Sequence, residues 1–131
     1  MTIPFWCLFI MVLLPYALSS LGGLYRWRKY GYYENKHPRE QVTQLEGLGS
    51  RIYAAQQNTW EALPVFAISV FVAHLSQANV EQSALLSILF VMLRISYGVV
   101  YIFNLDKLRT LIFTAAFGCC LGLFYLAIVA T

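Results

Sequence analysis

Four long apolar runs, separated by polar segments, dominate the pattern of hydrophobic and polar positions along the chain. Each run has about the 20 apolar residues that a helix needs to cross the hydrocarbon core of a bilayer. The pattern therefore predicts an all-α protein, an integral membrane four-helix bundle formed by a single domain over residues 1–131. The predicted spans cover about residues 3–25, 51–75, 83–103 and 108–130.

The segments between these runs predict how the chain lies in the membrane. Eight of the nine basic residues lie in or beside the long polar loop at about 26–50 and the tight turn NLDKLR, whereas the connection SQANVEQ contains none. Because cytoplasmic loops carry an excess of Lys and Arg, we expect the first and third loops to be cytoplasmic and both termini to lie outside. The short loops favour a bacterial inner membrane.

Composition excludes other classes of protein. The chain is 60% hydrophobic and only 11% charged, whereas soluble domains are about 25% charged. Its basic residues lie beside apolar runs rather than along one solvated face, so we expect membrane lipids as surroundings and no nucleic-acid partner. The three cysteines form no CxxC pair and the two histidines lack zinc-site spacing, so no metal site is expected.

Two ionisable residues, Glu61 and Arg94, lie well inside predicted spans. Glu61 follows the basic start of span two by ten residues, and Arg94 precedes the end of span three by ten residues. At a helical rise of about 1.5 Å per residue, both side chains lie about 15 Å from the same membrane face. A buried charge is costly unless it is paired, so the sequence predicts an ion pair between Glu61 and Arg94.

Each of these residues belongs to a polar stripe along one helix. At about 100° per residue, the members of each stripe fall within an arc of about 80°. Two such stripes at the same depth predict a shared polar cavity open to the cytoplasm, although polar residues that only tie helices together remain an alternative. The stripes comprise Arg51, Ala54, Asn58 and Glu61 on span two, and Arg94, Tyr97, Tyr101 and Asn104 on span three.

The same residues carry a resemblance to a known family. The segment Arg51-x-x-x-x-Gln56-x-Asn58-x-x-Glu61-x-x-Pro64-x-Phe66, followed by Arg94-x-x-Tyr97-x-x-x-Tyr101 and Leu108-Arg109, resembles the MAPEG proteins of eicosanoid and glutathione metabolism. The resemblance covers essentially the whole chain. It implies a left-handed four-helix bundle in each subunit of a homotrimer, with glutathione bound between subunits and lipophilic substrates entering from the bilayer.

The resemblance also implies roles for individual residues. Arg51, Asn58 and Glu61 line the glutathione site from span two, where Asn58 bonds the peptide backbone and Glu61 holds the amino end or Arg94. Tyr97 and Tyr101 close the site from span three. Arg109 is the catalytic candidate, because a guanidinium near the thiol favours the reactive thiolate.

One departure from the family pattern affects the functional interpretation. Ala54 and Gln57 stand where members that use glutathione often have further arginines, so fewer cations are available for the carboxylates of glutathione.

Three functions follow as hypotheses. They are a membrane-bound glutathione transferase or peroxidase acting on lipophilic electrophiles or hydroperoxides, a non-catalytic protein that binds lipids or a partner, and an enzyme that uses another thiol or an anionic cosubstrate.

Overall fold

The computed structural model describes residues 1–32 and 34–130, and this part of the chain forms five helices. Four of them have 23 to 28 residues, and the second helix along the chain has only six. The predicted all-α class is confirmed. The helices are α1 (Ile3–Tyr30), α2 (Pro38–Thr43), α3 (Leu48–Leu75), α4 (Val80–Ile102) and α5 (Asp106–Ala130).

Local sequence explains where several helices begin and end. Pro4 lies in the first turn of α1, where its missing N–H costs no hydrogen bond. Gly31 ends α1 with a φ of 73°, a left-handed conformation that glycine adopts without strain, and its N–H donates to the carbonyl oxygen of Trp27. Asn79 begins α4 by accepting a hydrogen bond from the backbone N–H of Gln82.

The observed helices are longer than the predicted membrane spans. α1 continues to Tyr30, five residues beyond the predicted end at Tyr25, and α3 begins at Leu48, three residues before Arg51. The predicted loop at about 26–50 also contains α2, so the described chain has five helices where four were expected. Hydropathy identifies only the apolar part of a helix that lies in the hydrocarbon core. The backbone hydrogen bonds that define the helix extend into the polar residues beyond it.

The long helices pack as antiparallel neighbours, with α3 and α4 at the centre. α3 contacts every other helix, and α4 contacts each of the other long helices. One end of the molecule, which we call the basic end, contains α2, the start of α3 and the turn between α4 and α5. The other end, which we call the distal end, contains the start of α1 and the turn between α3 and α4.

An apolar core fills the distal half of the bundle. Its central contact is a stack between the rings of Phe66 on α3 and Phe90 on α4, whose centroids are 4.0 Å apart at an interplanar angle of 7°. Gly122 on α5 lies so close to Leu86 on α4 that an added Cβ would approach its Cδ1 to 2.9 Å. The fully buried members include Met11, Phe66, Val70 and Leu123.

Three of the described helices, α1, α4 and α5, are long and apolar enough to cross a membrane. α3 is as long as α1 but is not among them. The physical reason is its first half, where Arg51, Gln56, Gln57, Asn58 and Glu61 lower the mean hydropathy. The polar stripe predicted on span two therefore distinguishes α3 from the other long helices.

Candidate functional site

Arg94 is the centre of the polar region inside the bundle. Its side chain is only 1% exposed. One terminal nitrogen, Nη2, donates a 2.8 Å hydrogen bond to the side-chain oxygen Oδ1 of Asn58 on α3. Its Nε is buried and has no hydrogen-bond partner among the described residues. A buried guanidinium therefore keeps one unused donor inside the protein.

The predicted ion pair between Glu61 and Arg94 is wrong. Glu61 is exposed, and the structure places no cationic nitrogen within 4.0 Å of its carboxylate in the described part of the chain. The depth estimate was sound, because both side chains line the same cavity. Rotation around the helix decides the contact: Asn58, one turn earlier on α3, meets the guanidinium, while Glu61 is turned outward.

A row of two aromatic rings between two cations runs from Arg94 toward the basic end. The guanidinium carbon of Arg94 lies 4.4 Å from the centroid of the Tyr97 ring. The rings of Tyr97 and Tyr101 meet edge to face at 5.6 Å. The guanidinium carbon of Arg109 on α5 lies 4.5 Å from the Tyr101 ring. The spacing of Tyr97 and Tyr101, one helical turn apart, produces this row.

Arg51 joins the start of α3 to the end of α4. Its Nε donates a 2.9 Å hydrogen bond to the backbone carbonyl oxygen of Ile102, the last residue of α4. The last carbonyls of a helix have no partner within the helix, so Arg51 caps α4 and joins it to α3. Arg51 lies at the basic end, as predicted, but it does not line the cavity that contains Arg94.

A cavity of about 180 Å³ lies between α3, α4 and α5 beside Arg94. Its polar wall contains Asn58, Glu61 and Arg94, three of the predicted site residues. Its apolar wall contains Phe113 and Phe117, which are roughly half exposed and so lie at the mouth of the cavity. Sequence reasoning missed this wall and the nearby Cys120, because apolar residues in a span resemble ordinary packing residues.

A second polar cavity, of about 280 Å³, lies between α1, α2 and α3 near the basic end. Gln56, Gln57 and Trp60 line it from the face of α3 that is roughly opposite to Asn58. Arg26 and Arg39 line it from α1 and α2. Arg26 is buried and donates to the carbonyl oxygen of Pro38 at 3.3 Å. The sequence placed Arg26 and Arg39 in a cytoplasmic loop and so did not predict this cavity.

Three apolar helices, α1, α4 and α5, are long enough to span a membrane, and Arg94 is a buried charge inside the bundle that they form with α3. These features define an integral membrane protein. A sequence model of the MAPEG family matches residues 3–129, which is nearly the whole chain. The chain therefore belongs to the MAPEG family, membrane proteins of eicosanoid and glutathione metabolism, and the resemblance carried by its motifs is confirmed. A search of curated proteins finds no match to the chain.

Proposed function

We propose that the protein is a membrane-bound glutathione transferase or peroxidase acting on lipophilic electrophiles or hydroperoxides. The observation that carries this proposal is the row Arg94–Tyr97–Tyr101–Arg109, which places two cations and two phenols side by side among apolar helices. A charged group inside a membrane protein is expensive and marks a functional site by default. The family match supports glutathione as the cosubstrate.

The residues of this region suit glutathione chemically. Glutathione is a tripeptide with two carboxylates, an amino group and a thiol. The unpartnered Nε of Arg94 and the half-buried guanidinium of Arg109 offer charge-assisted hydrogen bonds to anions. Asn58 offers an amide for the peptide backbone, and the exposed carboxylate of Glu61 offers a partner for the amino group. The residues therefore fit the cosubstrate, with Arg51 contributing by holding α3 to α4.

The proposed mechanism assigns the charge-stabilising role to Arg109. A free thiol is mostly protonated at neutral pH, and a nearby guanidinium stabilises the anion that forms when the proton leaves. Glutathione supplies the sulfur nucleophile for attack on an electrophilic carbon or a peroxide oxygen. Tyr101 holds Arg109 by its ring face, so the cation keeps one position near the basic end. Phe113 and Phe117 form the apolar side from which a lipophilic substrate approaches.

We also propose that α3 is the fourth membrane span. α3 has 28 residues, as many as α1, and packs against all three apolar helices. At about 1.5 Å per residue, such a helix is about 42 Å long and exceeds the hydrocarbon thickness of about 30 Å. The excess of basic residues supports a cytoplasmic basic end, with both termini on the other side.

Two features support a homotrimer, the state implied by the family. Glu61 is exposed although it lies midway along α3, where a membrane would leave its carboxylate without water. The cavity beside Asn58 and the cavity beside Gln56 and Trp60 lie on roughly opposite faces of α3. A closed ring of subunits would bring one cavity of each chain against the other cavity of its neighbour and cover Glu61.

The test is to purify the protein in detergent and measure glutathione binding and its conjugation to chlorodinitrobenzene. We expect binding at millimolar glutathione. Arg109→Ala should retain binding but reduce turnover by roughly 10-fold or more, because it removes a charge that acts on the thiolate. Arg28→Ala, at an exposed position at the end of α1, is the matched control and should keep full turnover. Equal turnover in wild type and Arg109→Ala would remove Arg109 from the mechanism.

A specific observation favours the second candidate, a non-catalytic protein that binds lipid or a partner on the same scaffold. The Nε of Arg51 is engaged with the carbonyl of Ile102, Arg51 does not line the cavity beside Arg94, and Ala54 carries no charge, so the stripe on α3 places no cation in that cavity for a glutathione carboxylate. Absence of glutathione binding at millimolar concentration would reject the transferase and support this alternative.

A further inference from the structure

A third cavity, of about 230 Å³, lies at the distal end of the molecule, where the starts of α1 and α4 meet the end of α3 and the middle of α5. It shares no lining residue with either of the polar cavities near the basic end. Its inner wall is apolar and fully buried, with Val70, Ala73 and Leu123 at most 3% exposed. Its mouth is formed by exposed polar residues, among them His74 and Gln77.

The hydroxyl of Ser83 is the unusual group in this cavity. Ser83 is only 7% exposed, and its Oγ is buried without a hydrogen-bond partner among the described residues. Most other hydroxyls in the long helices donate to a carbonyl oxygen three or four residues earlier, as Ser87 does to Ser83 at 2.7 Å and Ser69 does to Phe66 at 2.8 Å. Ser83 has such a carbonyl available at Asn79 and does not use it. Its hydroxyl is therefore a free donor at the cavity wall.

The lining of the cavity selects a neutral ligand. None of its lining residues is an Asp, Glu, Lys or Arg, and His74 is the one ionisable side chain among them. The imidazole of His74 is held against the ring of Phe5, with centroids 5.0 Å apart. A charged ligand would lose its hydration without gaining a partner of opposite charge. An apolar ligand with one hydrogen-bond acceptor would satisfy both the apolar wall and the hydroxyl of Ser83.

The position of Ser83 along α4 indicates which chemical group provides the hydrogen-bond acceptor. α4 has 23 residues and is about 35 Å long, slightly more than the hydrocarbon core of a bilayer. Ser83 lies three residues after the start of α4 at Val80, about 4.5 Å along the helix. The hydroxyl is therefore near the boundary between hydrocarbon and head groups. The acyl ester carbonyls of bilayer lipids lie at this boundary, and they are neutral hydrogen-bond acceptors attached to apolar chains.

We propose that the distal cavity binds an acyl ester, whose carbonyl oxygen accepts a hydrogen bond from Ser83 Oγ and whose chain packs against Val70, Ala73 and Leu123. The ester is that of a membrane phospholipid or of a small free ester, since both present the same chemistry. The site is independent of the proposed glutathione site, because the two cavities share no residue.

The experiment compares retention of two phosphatidylcholines of equal chain length, one with ester-linked and one with ether-linked chains, by the delipidated full-length protein in detergent. We expect the ester lipid to be retained about 5- to 10-fold better, a preference within the range that one neutral hydrogen bond produces. Ser83→Ala should abolish this preference while leaving retention of the ether lipid unchanged. Ala73→Leu, which fills the cavity, should weaken retention of both lipids.

Ser87→Ala is the matched control, because Ser87 is buried one turn further along α4 but its hydroxyl is already bonded to the Ser83 carbonyl. It should keep the ester preference. A wild-type protein that retains both lipids equally, as it would if the cavity held only water or detergent, overturns the proposal. So does an ester preference that survives in Ser83→Ala. Displacement of the phospholipid by methyl octanoate identifies a small ester as a ligand, and its failure with an intact ester preference identifies the bilayer lipid.

Discussion

The two halves of α3, residues 48–61 and 62–75, are built on different physical principles. In the first half, polar side chains make directional contacts: Arg51 caps α4 at 2.9 Å, and Asn58 accepts from Arg94 at 2.8 Å. In the second half, Phe66 and Val70 are at most 1% exposed and are held by close packing against apolar neighbours. One helix thus joins a polar region at the basic end to an apolar core at the distal end.

The difference shows how a small membrane protein can support costly charges. Dense packing in the distal half holds α3 and α4 in one relative position. That position brings Asn58 to Arg94 and aligns the row of Tyr97, Tyr101 and Arg109. We therefore expect the apolar half to contribute most to stability and the polar half to carry the proposed chemistry.

The largest effect on stability is expected from Phe66→Ala in the apolar half. Phe66 is 0% exposed and stacks on Phe90, so truncation leaves a cavity at the centre of the bundle. We expect a loss of about 3–5 kcal/mol in the free energy of unfolding. Ile68→Ala, at a position that is 55% exposed on the same half, is the control and should cost less than about 1 kcal/mol. Unfolding in detergent measures both, and equal losses would contradict the claim that buried packing at Phe66 stabilises the apolar half.

The next largest effect is expected from Asn58→Leu in the polar half. This change removes the side-chain oxygen that accepts a hydrogen bond from the buried Arg94 guanidinium, and such a loss costs about 2–3 kcal/mol. Glu61→Gln should change stability by no more than about 0.5 kcal/mol, because the carboxylate is exposed and forms no ion pair in the described structure. Thermal unfolding of the two variants side by side checks the order. A larger loss for Glu61→Gln would restore the ion pair predicted from the sequence.

A smaller loss is expected where the polar half of α3 packs against α1. A Cβ added at Gly49 would lie 2.6 Å from Cε1 of Tyr25, so Gly49→Ala must displace a ring. We expect a cost of about 2 kcal/mol, in the range for overpacking. Gly118→Ala on α5 is the control, since its added Cβ meets nothing within 4 Å among the described residues. If both variants unfold at the wild-type temperature, the close approach of α1 and α3 contributes nothing to stability.

The smallest expected effect in free energy is a gain of function. Ala54→Arg would place a cation on the stripe of α3 where the family pattern has one, and we expect glutathione affinity to rise about 10-fold, or about 1.4 kcal/mol. Ala54→Gln adds a side chain of comparable length without charge and should leave affinity unchanged. Isothermal titration calorimetry measures both. An equal gain in the two variants would show that length, rather than charge, limits binding.

Much of the architecture was predictable from the pattern of residues. Apolar runs located the long helices, because only helices satisfy the backbone inside a membrane, and the motif from Arg51 to Phe66 identified the family. Helical rise placed Glu61 and Arg94 at one level. The same reasoning could not predict α2 or the second polar cavity, because both depend on how the polar loop folds back onto α1 and α3.

Spacing along the chain determines which residues share a depth and a face, so the sequence alone predicted the long helices and the residues that form each polar stripe. Contacts between stripes depend on the relative rotation and separation of α3 and α4, which are set by packing at distant positions such as Phe66 and Phe90. Only the tertiary structure could therefore show that Arg94 bonds Asn58 instead of Glu61, that Arg51 caps α4, and that Ser83 faces a distal cavity.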